Sequence, residues 1–150
     1  AALNKGDDDQ TPWTPAINLT LGWRAALRTL AEEGLQKRWQ RCETMATGVR
    51  SLFSSLGFEL LADEKQRSNT VTAILYPKGI DDSWRSKLQS EYKTFVIGAQ
   101  DHLKGKMFRI GSMGETPVEE LIEGCKRMIA CFNEMGLDLP ISEVESHFKR

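Results

Sequence analysis

Lys106-Met107-Phe108-Arg109-Ile110-Gly111-Ser112-Met113-Gly114 sets a single arginine in an apolar run that stops at glycines. A loop, Gly98-Ala99-Gln100-Asp101-His102-Leu103-Lys104-Gly105, leads into it. Read as a short strand, the run puts Phe108 and Ile110 on one face and turns Arg109 to the other, because successive side chains alternate. A guanidinium isolated in this way suits two-pronged capture of a carboxylate. An internal ion pair or a solvated sheet-edge arginine is the alternative.

Other residues invite chemistry more weakly. His102 could hydrogen-bond a ligand or move a proton from its glycine-bounded loop, or simply be solvated there. Lys104 and Lys106 flank Gly105 and read as exposed, whereas a Schiff-base lysine needs a desolvated pocket. Lys37, Arg38 and Arg41 beside Trp39 resemble a basic–aromatic patch, but the helical spacing places Trp39 inside and the charges outside. Gly98, Gly105, Gly111 and Gly114 are spaced as turn punctuation and form no phosphate-cradling fingerprint. Cys42, Cys125 and Cys131 sit inside apolar helical stripes without a Cys-x-x-Cys pair, so they read as buried thiols of a reducing cytoplasm, with no metal site indicated.

The elements that must position Arg109 follow from periodicity and punctuation. Residues 1–12 are polar and read as a linker or torn edge, and residues 13–150 as the folded domain. Thr14-Pro15 is expected to open a helix, with threonine capping and proline in the first turn, that carries Leu19, Trp23, Leu27 and Leu30 to Gly34. A second helix carries the stripe Leu35, Trp39, Cys42, Met45, Val49 and Phe53 and stops at Gly57. Short strands are expected at 58–61, 70–76, 94–97 and 107–110, with a weaker helix over 80–92 around Trp84 and Leu88. Thr116-Pro117-Val118-Glu119 predicts a capping box ahead of a helix burying Leu121, Ile122, Cys125, Met128, Ile129 and Phe132. A second box at Ser142–Glu145 predicts a terminal helix with Val144 and Phe148 on one face. The order implies an α+β fold: a small, largely antiparallel sheet with helices packed on one face.

Composition narrows the function. The chain has 150 residues, enough for one domain with a real core, and 20 basic against 21 acidic side chains give a net charge of −1. No field of one sign is available to recruit nucleic acid or an anionic membrane, and no apolar run approaches the roughly 20 residues that span a bilayer.

Two segments taken together resemble the carboxy-terminal part of a class V aminotransferase, a pyridoxal-phosphate enzyme of fold type I, and in particular the serine–pyruvate and alanine–glyoxylate branch. One is Thr11-Pro12-Trp13-Thr14-Pro15-Ala16-Ile17-Asn18-Leu19 with Gly22-Trp23-Arg24 and Glu33-Gly34-Leu35; the other is Gly105 to Gly114. Ser68-Asn69-Thr70-Val71-Thr72-Ala73 between them resembles the family's strand entry. The resemblance implies a small domain of an enzyme that moves an amino group between an amino acid and a 2-oxo acid. It gives Arg109 the substrate α-carboxylate. Thr14, with Thr11, is given the cofactor phosphate across a homodimer. Thr11 stands where alanine–glyoxylate enzymes often carry tyrosine, and Gly98-Ala99-Gln100-Asp101-His102 replaces a Gly-Gly-Leu-Gly-Pro loop. The motifs around the family's cofactor lysine are absent from these positions. The expectation is therefore a truncated chain or broken reading frame, inactive alone, whose cofactor belongs to the full-length enzyme. The alternatives are a stand-alone domain that binds a small carboxylate, and a self-associating interaction domain.

Overall fold

The computed structural model describes residues 13–149. The expected linker, 1–12, lies outside the described residues. The chain divides into two compact units, one through Arg38 and one from Trp39.

In the first unit, helix α1 spans Ile17–Glu33. It starts later than Thr14-Pro15 implied. Ala16 occupies the cap position, no side chain caps the helix, and Gly34 closes it at φ +83°, where a Cβ is disfavoured. Its amphipathic spacing is real, yet α1 buries no residue. Arg38 pairs with Glu33 at its end.

Helix α2, Leu35–Ser55, carries the expected stripe, and Cys42, Met45, Val49 and Phe53 are buried. Trp39 corrects the expectation. It is 60% exposed, and burial along the stripe begins only at Cys42. Periodicity identifies the apolar face of a helix but not how far its cover extends. In place of the expected strand at 58–61 there is a single antiparallel bridge, Leu60 to Ile74.

The sheet of the second unit has three antiparallel strands in the order β1 (Val71–Leu75), β3 (Met107–Gly111), β2 (Ile97–Gly98). Ala73 and Ile97 both stand opposite Arg109, while Ile74 and Gly98 stand opposite Phe108. With a period of two, Thr72, Ile74, Phe108 and Ile110 share the buried face. Helix α3 (Ser83–Tyr92) buries Trp84 and Leu88, and helix α4 (Val118–Glu134) buries Leu121, Cys125, Met128, Ile129, Cys131 and Phe132. Trp84 stacks on Phe132 with centroids 4.1 Å apart, and Phe108 packs against both rings. Such pairs add about 0.5–1.5 kcal/mol each to the burial itself.

Neither expected capping box forms. Pro117 holds the cap position of α4 with no side-chain bond, and Ile141–Phe148 is a 3-10 helix led by Pro140. Val144 and Phe148 are nevertheless buried, as their spacing implied, and so are all three cysteines. No helix among the described residues is long and apolar enough to cross a membrane.

Candidate functional site

Arg109 sits at the centre of β3, the middle strand, on the face opposite Phe108 and Ile110. Its Nε and Nη2 both donate to the carbonyl oxygen of Gly98, at 3.2 and 2.8 Å. A guanidinium has five N–H donors. The carbonyl takes the side-on fork, which leaves the end-on edge, formed by one N–H of Nη1 and one of Nη2, open. That edge is the one a carboxylate can take with two parallel bonds.

Arg109 lines an open cleft of about 1000 Å3 between α4 and the segment 93–97. Beyond Ile97 this segment leaves the ladder, so among the described residues Ile110 and Gly111 are paired with β1 alone and have no strand on the β2 side. The cleft walls include Phe95, Ile97 and Met113, all more than half exposed. Glu119, Glu120, Glu123, Lys93 and Arg127 stand around its rim.

A second arginine meets the same glycine. Arg85, in the first turn of α3, sends Nε to Asp82 Oδ1 at 3.1 Å and Nη2 to Oδ2. Tyr76 donates its hydroxyl to Asp82 Oδ1 at 3.0 Å. The Arg85 bonds hold the Asp82 carboxyl below the usual aspartate range and raise the Arg85 guanidinium. Burial, reinforced by the bond to Asp82, pushes the Tyr76 phenol well up. Sequence reading missed Asp82 and Arg85. The only local signal, an acid three residues before an arginine at a helix start, is too common to single them out.

The other sequence candidates fall elsewhere. His102 is exposed in a one-turn 3-10 helix, Asp101–Leu103, whose leading Asp101 takes φ +50°. Lys104 and Lys106 are exposed. Arg41 is not a free surface charge: its Nη2 donates to the Gly114 carbonyl at 2.7 Å, tying α2 to the loop after β3. Thr14 belongs to the first unit, where it is exposed and does not cap α1. Thr11 lies outside the described residues.

Pyridoxal chemistry needs an amine in a desolvated pocket. No lysine among the described residues is buried. Lys87 is paired with Glu91 and Glu134, and Lys126 with Glu123 and Glu145. The described residues do not fit covalent attachment of that cofactor.

No protein-family model matches the chain. It is 41% identical over 137 residues to an uncharacterized aminotransferase of Methanocaldococcus jannaschii, covering 91% of this chain and 36% of that protein. It is 38% identical over 114 residues to the serine–glyoxylate aminotransferase of Hyphomicrobium methylovorum, covering 75% and 28%. A protein of Synechococcus sp. described as the small subunit of a soluble hydrogenase is 31% identical over 127 residues, covering 84% and 33%. Among solved structures, pyridoxamine–pyruvate aminotransferase from Mesorhizobium loti superposes with a TM-score of 0.84 at 26% identity, over 91% of this chain and 36% of that one.

The fold is α+β, and its structural neighbours are aminotransferases. The chain is similar to aminotransferases of the serine/alanine–glyoxylate type, and the part of them that it matches is consistent with the carboxy-terminal domain of a class V aminotransferase. It spans about a third of the length of these relatives. The family implies pyridoxal phosphate in the full-length enzyme.

Proposed function

We propose that this chain is the carboxylate-gripping domain of a pyridoxal-phosphate aminotransferase that exchanges an amino group between an amino acid and a 2-oxo acid. The observation that carries the reading is the half-used guanidinium of Arg109, seated on Gly98 and lining an open cleft. The cofactor supplies the electron sink when bound; this chain's part is to bind and orient. Arg109 takes the substrate α-carboxylate on its end-on edge, and Phe95, Ile97 and Met113 offer apolar surface beside it. Thr14 and Thr11 reach the cofactor phosphate of the partner subunit in a homodimer. Alone, the chain grips a carboxylate without turning it over.

The test is Arg109→Ala in the full-length enzyme. Losing two charge-assisted bonds is expected to raise KM and to cut kcat/KM by about a hundredfold or more. Because orientation feeds the transition state, kcat falls too. Wild-type kinetics in that variant would sink the assignment.

Self-association is a second reading, favoured by α1. Ile17, Leu19 and Trp23 are 62%, 77% and 67% exposed on a helix that buries nothing. Apolar surface of that extent seldom stays uncovered. Light scattering of the chain by itself would separate self-association, with mass rising with concentration, from a monomer.

A further inference from the structure

Gly98 is held from two sides. Its carbonyl accepts the Arg109 fork, and its backbone pairs with Phe108 of β3. On the other side lies the flat of a guanidinium: a Cβ placed on Gly98 would come within 2.9 Å of Arg85 Cζ and 3.2 Å of its Nε and Nη1. The absence of a side chain at Gly98 is what lets Arg85 lie against the backbone. Arg85 cannot drift, because both Asp82 carboxylate oxygens are engaged by it and Tyr76 steadies the same carboxylate. Asp82 also cancels the Arg85 charge, so a second cation can sit on the same glycine without the full cost of like-charge repulsion.

β2 is only two residues long and lies at the sheet edge. Two ladder residues are a weak anchor for a carbonyl that must fix the direction of a long, flexible side chain. Packing a pinned arginine on the face of Gly98 that it shares with Phe108 supplies what the short strand lacks.

We propose that Arg85, locked by Asp82, is a positioning residue for Arg109: it braces Gly98, and the braced carbonyl aims the end-on edge of Arg109 into the cleft. The functional consequence rests on the carboxylate reading of Arg109; the brace itself does not. Because Arg85 acts through Gly98, it touches no substrate.

The experiment is heteronuclear NMR of the arginine Nε–H groups in this chain, comparing wild type with Arg85→Ala, Arg85→Lys and Asp82→Asn, each with and without pyruvate. Dispersed backbone amides verify that each variant is folded. In wild type the Arg109 Nε–H, bonded to Gly98, is expected to exchange slowly with solvent. Arg85→Ala is expected to speed that exchange about tenfold, the size of one lost charge-assisted constraint. Arg85→Lys keeps a cation for Asp82 but no flat group for Gly98, and is expected to behave like Arg85→Ala. Asp82→Asn keeps the volume and the guanidinium while loosening its anchor, so it keeps the test decisive if an Arg85 variant is misfolded. Slow Arg109 Nε–H exchange in all three variants would overturn the brace. The pyruvate arm separates the two ideas. Accelerated exchange in Arg85→Ala with no pyruvate response in wild type supports the brace and removes the carboxylate role. A pyruvate response at Arg109 that survives unchanged in the variants, with slow exchange, retains the carboxylate role and removes the brace.

Discussion

Gly48→Ala sets two well-known effects against each other. Gly48 lies inside α2, where alanine is ordinarily better than glycine by about 1 kcal/mol. Here a Cβ on Gly48 would stand 2.6 and 2.9 Å from Cε1 and Cγ of Phe148, and closer still to Cδ1. Those are ring atoms of a buried side chain, 8% exposed, on the terminal 3-10 segment. The methyl therefore either overpacks the site, at about 1–3 kcal/mol, or expels the ring, at about 2–3 kcal/mol of lost burial. Set against the helical gain, the cheaper of the two leaves a net loss of up to about 2 kcal/mol. Phe148→Ala alone should cost about 3 kcal/mol. In that background the clash is gone, and Gly48→Ala should become stabilising by up to about 1 kcal/mol. Urea unfolding of the four proteins measures the coupling directly. Gly48→Ala more stable than wild type, with additive energies across the cycle, would refute the docking of Phe148 against α2.

Three further outcomes follow from the charges and thiols. The hydrogen bond from Tyr92 to Glu134 and the burial of Tyr76 push both phenols up, Tyr92 to about 12. Their contribution to stability is thus complete below pH about 10 and lost as pH rises through the folded values; a tyrosinate absorbance step near pH 10 in the native chain would contradict this. Bonds from Arg85 to Asp82, from Tyr92 and Lys87 to Glu134, and from Lys126 to Glu145 hold these carboxyls below their ordinary values. Their stabilisation is present above pH about 4 and fades as pH falls through the folded values; acid unfolding that begins already at pH 6 would contradict it. Burial raises Cys125 to about 12 and Cys131 to about 11. A thiol reagent at pH 8 should leave both untouched until urea is added, because the thiolate is the reactive form.

The sheet face of Arg109 was legible in the sequence, because strand alternation alone separates it from Phe108 and Ile110. The seat beneath it was not. Gly98, Asp82 and Arg85 converge from a strand and a helix start whose relation no local pattern encodes. Thr14 shows the opposite limit. Its residue type suits a cap, but the cap position of α1 falls at Ala16, since where a helix starts depends on the surrounding chain as well as on the capping residue.

The sequence by itself determined the α+β class, the buried faces of the helices from Cys42 onward, and the faces of the strands. Each of these rests on a period of 3.6 or 2 that a chain carries locally. The family resemblance likewise rests on contiguous residues. Only the tertiary structure decided that Trp39 is exposed, that residues 58–61 make a bridge and no strand, and that two arginines share one glycine. Cover, pairing partners and the convergence of side chains are properties of distances between distant segments, and those distances exist only after folding.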